Sequence, residues 1–137
     1  MYAAQSDIVK AYGEDILYPS IGDDGLLDDA KVSAAIEKAV AEIDSYLGIR
    51  YTLPLPSIPE RLVEICIDFA VYKMTNTADA LTDDIKARYK DGLSWLKDVG
   101  AGRASLGLPT PAGKTSARPV TIKGAGRLFT RDKMRSL

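Results

Sequence analysis

Histidine is absent from this 137-residue chain, cysteine and tryptophan occur once each, and phenylalanine occurs twice. Without histidine the commonest general base and the commonest zinc ligand are missing, so catalysis would have to run on carboxylates, lysines or hydroxyls. A lone Cys66 excludes an internal disulfide framework and leaves no thiolate set for a metal. No apolar run approaches the ~18 residues of a bilayer span, so no membrane insertion is expected. The opening MYAAQSDIVKAYGED has neither a basic n-region nor an apolar h-region, which predicts a protein made in a cytoplasm without a signal peptide.

What is present is an ordinary globular composition, 46% hydrophobic and 27% charged, at a length suited to one domain. The net charge of -1 conceals an asymmetry. Residues 1–102 hold ten Lys or Arg against eighteen Asp or Glu, a balance of -8, whereas residues 103–137 hold eight against one, a balance of +7. An acidic body with a basic tail steers partners, or identical copies, toward one orientation.

Four helices are legible. Ser6 can cap DIVKAY, with Gly13 to stop it; YPSIGDDG, residues 18–25, reads as a loop. The clearest helix runs from about Asp28 to Leu47, with Ala35, Ile36, Ala39, Val40, Ile43, Tyr46 and Leu47 on one face and Gly48 as its stop. Three prolines make residues 49–59 an extended connector. The third helix, to about Met74, is apolar on two faces: Leu62, Ile65, Cys66 and Phe69 on one, Val63, Ile67, Val71 and Met74 on the other. Two readings stand for that second face, a central helix wrapped by its own chain or an interface between subunits. Thr82 can cap a fourth helix to about Val99, in which Gly92 costs roughly 1 kcal/mol relative to Ala and so predicts close approach of another helix. From Gly100 the texture turns to Gly, Pro, Ser and Thr, the mark of the end of the packed body.

Chemical motifs are near-misses. GLPTPAGKT, residues 107–115, ends like a phosphate-binding loop but has five residues where four are required, two of them prolines without the N–H groups such a loop uses. Counting twelve positions from Asp23 or Asp24 ends on Ala34 or Ala35, so a calcium loop with its terminal Glu fails. Cys66 lies on an apolar helix face with no activating His and reads as a small hydrophobe, and Trp95 reads as core packing. The expectation is no enzyme, no cofactor and no metal.

The tail carries the partner-binding candidates. VTIK (120–123) and RLFT (127–130), joined by GAG, fit a β-hairpin that needs a surface to fold upon. Arg118, Lys123, Arg127, Arg131, Lys133 and Arg135 supply charge, and Leu128, Phe129, Met134 and Leu137 supply apolar anchors. Burying those four anchors is worth roughly 6 to 12 kcal/mol, less than the roughly 11 to 22 kcal/mol needed to order eleven backbones. Charge pairing, main-chain bonds or many linked copies must make up the difference, which points to an oligomeric assembly. The alternative is a nucleic-acid-binding protein whose tail, with Lys114 added, grips phosphates.

Four stretches resemble the Mu-like phage neck proteins: MYAAQSDIVKAYGED, LDDAKVSAAIEKAVAEIDSYLGIRYTLPL, LSWLKDVGAGRASLGL and GRLFTRDKMRSL. The resemblance covers nearly the whole chain and implies a structural virion protein of a tailed phage. Its role would be that of a head-tail connector, an adaptor placed beneath the portal protein at head completion. It further implies a ring homo-oligomer of twelve copies around the DNA channel, contacting DNA without sequence specificity, and a next neck or tail-completion protein as neighbour. The location implied is the virion neck, with the host cytoplasm during assembly. Taken together, the expectation is an all-α fold: a bundle of about four helices over residues 1–106, then an extended C-terminal arm over 107–137. The arm is expected to dock on the portal, and Val63, Ile67, Val71 and Met74 to join neighbouring subunits.

Overall fold

Four α-helices and one 3₁₀ segment make up residues 1–111, the part of the chain that the computed structural model describes. Helix α1, Gln5–Tyr12, is capped not by Ser6 but two residues earlier, by Ala4, whose N–H donates to the Asp7 carboxylate reaching back at 2.9 Å. Gly13 ends it with φ 88°, a conformation that a side chain would strain. Helix α2, Asp29–Leu47, is capped by Asp28, whose carboxylate accepts from the amides of Ala30 and Lys31 at 3.0 and 3.3 Å. Its buried stripe of Val32, Ala35, Ile36, Ala39, Ile43 and Leu47 follows the predicted helical period.

Helix α3, Glu60–Thr77, outlasts its expected end at Met74, and helix α4, Asp83–Ala101, is capped as expected by the Thr82 hydroxyl, which accepts the Ile85 amide at 3.3 Å. Gly102, at φ 84°, stops α4. The chain is thus all-α, a small bundle. Among the described residues no strand forms; a single antiparallel bridge joins Ile21 to Leu27. The predicted hairpin lies outside the described residues.

Helix α3 is the axis of the body, in contact with α2, α4, α1 and the 3₁₀ segment Glu14–Ser20. That arrangement corrects the subunit-interface expectation for its second face. Val71 is fully buried, and Ile67 and Met74 nearly so, by the protein's own chain. The covering comes from α1 and from residues 14–20, where Leu17 is buried and the Ser20 hydroxyl donates to the Met74 sulfur at 3.4 Å. Only Val63 stays half-buried, beside Ile67 in a shallow groove between α1 and α3.

Gly92 lets α3 and α4 close. A methyl group there would sit 2.9 Å from the Phe69 ring and 3.3 Å from Ile65, so the expected close approach is present. A polar knot ties both of these helices to α2: Glu42 of α2 accepts from the Tyr89 hydroxyl of α4 at 2.6 Å and pairs with Lys73 of α3 at 2.6 Å. Tyr89 in turn stacks on Tyr72 with centroids 3.9 Å apart. Burial first, and the bond to Glu42 second, raise the Tyr89 hydroxyl far above its ordinary pKa, so it stays a donor.

Candidate functional site

The connector IRYTLPL does more than link α2 to α3. Tyr51 follows the last turn of α2, its amide bonded to the Leu47 carbonyl at 2.9 Å, and its ring is buried. Its hydroxyl accepts the Leu106 amide at 3.1 Å and lies 3.5 Å from the Ser105 hydroxyl. Beside it the Arg50 guanidinium donates to two carbonyls, Val99 at 3.2 Å and Ala104 at 3.0 Å. The last turn of α4 contains no basic residue, so Arg50 supplies from another element the positive charge that a helix C-terminus favours. Two adjacent residues therefore clamp 104–106 and fix the place where the chain leaves the body toward its C-terminal arm.

That arm is where most of the predicted site residues fall. Arg118, Lys123, Arg127, Leu128, Phe129, Arg131, Lys133, Met134, Arg135 and Leu137 lie outside the described residues. Arg50 and Tyr51 were not singled out by the sequence reading. Their partners lie 49 to 55 residues downstream, and no local period marks such a pairing.

Two surface features remain on the body. The first is a mixed-charge cavity of about 410 Å³ between α1, α3 and α4, lined among others by Tyr12, Arg61, Glu64, Asp68 and Arg88. Its charges answer one another: the Tyr12 hydroxyl donates to Asp68 at 2.6 Å, Arg88 sits 5.2 Å over the Tyr12 ring, and Arg61 pairs with Glu64 at 3.1 Å. Burial, then the bond to Asp68, push the Tyr12 hydroxyl up to about 12, which makes it a structural donor at neutral pH. The second feature is an apolar groove of about 400 Å³ between α1 and residues 14–27, beside which Tyr18 is 76% and Leu26 68% exposed.

Catalytic chemistry finds little support in this geometry. Burial pushes the Cys66 thiol up to about 11, so at neutral pH it is a protonated core group and not a nucleophile. Among the described residues no cluster of three or more acidic or thiol side chains is placed to hold a metal ion. No helix among them is long and apolar enough to cross a membrane. What the body offers is a clamped exit for a charged segment, and exposed apolar surface.

A family model described as Bacteriophage Mu, Gp36 matches residues 2–123. The Mu-like prophage FluMu protein gp36 of Haemophilus influenzae is 36% identical over 110 residues, covering 79% of this chain and 77% of its own. Gene product J of Escherichia phage Mu is 33% identical over 121 residues, covering 86% and 82% respectively.

Proposed function

The chain belongs to the Bacteriophage Mu, Gp36 family, and from that premise we propose that it is a structural, non-enzymatic virion protein serving as a head-tail connector. In this reading copies of the body form a ring in the neck, twelve around the DNA channel, and the C-terminal arm docks on the portal protein. Met134 and Leu137 are its terminal apolar anchors, with Lys133 and Arg135 beside them. Val63, half-buried at the groove between α1 and α3, is what remains of the proposed subunit contact. The neck protein below the ring and the channel DNA are the other neighbours, and assembly takes place in the host cytoplasm.

The clamp at Arg50 and Tyr51 is the observation that carries this reading. It gives a segment of seven Lys or Arg and one Asp, residues 112–137, a fixed point of departure from a body whose balance is -7. Repetition of such a point around a ring supplies the linked copies that a single arm needs in order to bind. Twenty-nine residues from Pro109 onward reach at most ~95 Å, enough to pass a neighbouring copy and touch the next ring.

Deletion of residues 119–137 tests the proposal. The truncated protein is expected to keep the helical circular-dichroism spectrum of the parent and to lose co-sedimentation with portal. Unchanged co-sedimentation would overturn the docking role. A salt titration of DNA affinity separates the nucleic-acid reading, since a phosphate-gripping arm would show a steep negative dependence.

A further inference from the structure

Residues 11–29 contain six carboxylates, Glu14, Asp15, Asp23, Asp24, Asp28 and Asp29, and no lysine or arginine. Asp28 caps α2 and Asp24 holds the Leu26 amide, whereas Glu14 and Asp15 stand exposed at the edge of the apolar groove. Val9, Leu17, Ile21 and Leu27 line that groove, and Tyr18 and Leu26 leave more than half of their surface in water. Apolar surface rimmed by charge of a single sign is the complement of a peptide that alternates apolar and oppositely charged residues.

The chain contains such a peptide. In RLFTR, Leu128 and Phe129 are bracketed by Arg127 and Arg131. We infer that the groove is the seat of the C-terminal arm of a second copy of this chain, with Leu128 and Phe129 in the groove and Arg127 and Arg131 against Glu14 and Asp15.

A second copy fits better than the chain's own arm because donor and acceptor lie at opposite ends of the body. The groove is built by a loop tied to the start of α2, through the Asp28 amide and the Ser20 carbonyl at 2.9 Å, whereas the arm departs beside Tyr51, just past its end. The 19 residues of α2 separate the two by ~28 Å. A donor at one end and an acceptor at the other make a heterologous contact, the kind that builds a ring when the rotation between copies closes. The fifteen residues 112–126 span roughly 50 Å, enough to reach either the chain's own groove or a neighbour's, and the linked copies of a ring favour the neighbour's. Residues 134–137 stay clear of the groove and remain for the portal. The inference rests on the docking role given to the arm above, but it is read without portal, so the two can fail separately.

Two full-length variants test it by charge exchange, Glu14→Lys with Asp15→Lys in one and Arg127→Glu with Arg131→Glu in the other. In sedimentation velocity at low salt the parent is expected to associate with rising concentration, each variant to sediment as a monomer, and their equimolar mixture to regain association. Persistent association of either variant, a mixture that stays monomeric while both proteins keep the parental helical spectrum, or a parent monomeric throughout would each overturn the inference. Zero-length carbodiimide cross-linking of a mixture of ¹⁴N and ¹⁵N parent protein reads the same contact without mutation. Links from Lys123 or Lys133 to Glu14 or Asp15 that join light and heavy chains support a second copy; links confined to chains of one isotope overturn it.

Discussion

The Tyr51 hydroxyl accepts the Leu106 amide proton at 3.1 Å across 55 residues of sequence. Both groups are buried, so each would be left without water if the other were removed. Tyr51→Phe keeps the ring in place and deletes only the acceptor. The expected cost is about 1 to 3 kcal/mol of folding stability in chemical denaturation. Faster hydrogen exchange should be confined to the 104–107 stretch, with the amides of α2 and α3 as protected as before. Exchange that rises uniformly over the bundle would show the contact to be part of the general core and not a clamp on the arm's root.

Gly92 and Gly100 occupy the same helix and should respond oppositely to a methyl group. At Gly92 the new carbon meets the Phe69 ring at 2.9 Å, and α3 must move; overpacking of this kind costs about 1 to 3 kcal/mol, which exceeds or cancels the roughly 1 kcal/mol of helix propensity that alanine brings. At Gly100 the nearest atoms, on Ile49 and the Tyr46 carbonyl, are 3.4 Å away, an ordinary contact. Gly92→Ala is therefore expected to lower the urea midpoint, and Gly100→Ala to leave it unchanged or raise it. Equal midpoints for the two variants would refute the assignment of Gly92 to helix approach.

These residues also show where one sequence suffices. The start of α2 near Asp28, the Thr82 cap, the stop at Gly13, the buried stripe of α2 and the close approach at Gly92 all depend on neighbours within a few residues or on a period of 3.6, and all were legible. Residues 14–20 were not, because Pro19 and the Gly and Asp residues after it carry the signs of a loop, while the 3₁₀ turn is imposed by Leu17 and Ser20 packing on α3. Missing that cover is what made the second face of α3 look available to a subunit. Arg50 and Tyr51 were legible as a distinctive stretch but not as a clamp, since their role exists only once Val99, Ala104 and Leu106 have been brought beside them.

Alkaline pH should unfold the body in two overlapping stages, and the sign follows from which state holds the proton. Burial raises the Cys66 thiol to about 11, above the ~8.5 of an unfolded cysteine. Below ~8.5 both states are protonated and the stabilisation is fully present. Between there and about 11 the unfolded chain has lost a proton that the folded chain keeps, so stability falls with rising pH, by about 1.4 kcal/mol per pH unit at most for one group. Tyr12, raised to about 12 by burial and by Asp68, adds a second loss that begins near ~10; its partial exposure calls for discounting by solvent screening. The urea midpoint of the parent is thus expected to be flat from pH 7 to 8 and to decline steeply by pH 10. In Cys66→Ala, which starts lower because it leaves a small cavity, the decline between pH 8.5 and 10 should nearly vanish while the part above ~10 remains. Tyr12→Phe should show the reverse, keeping the early decline and losing part of the late one. Parallel declines in parent and Cys66→Ala would mean that the thiol is not held protonated by the fold.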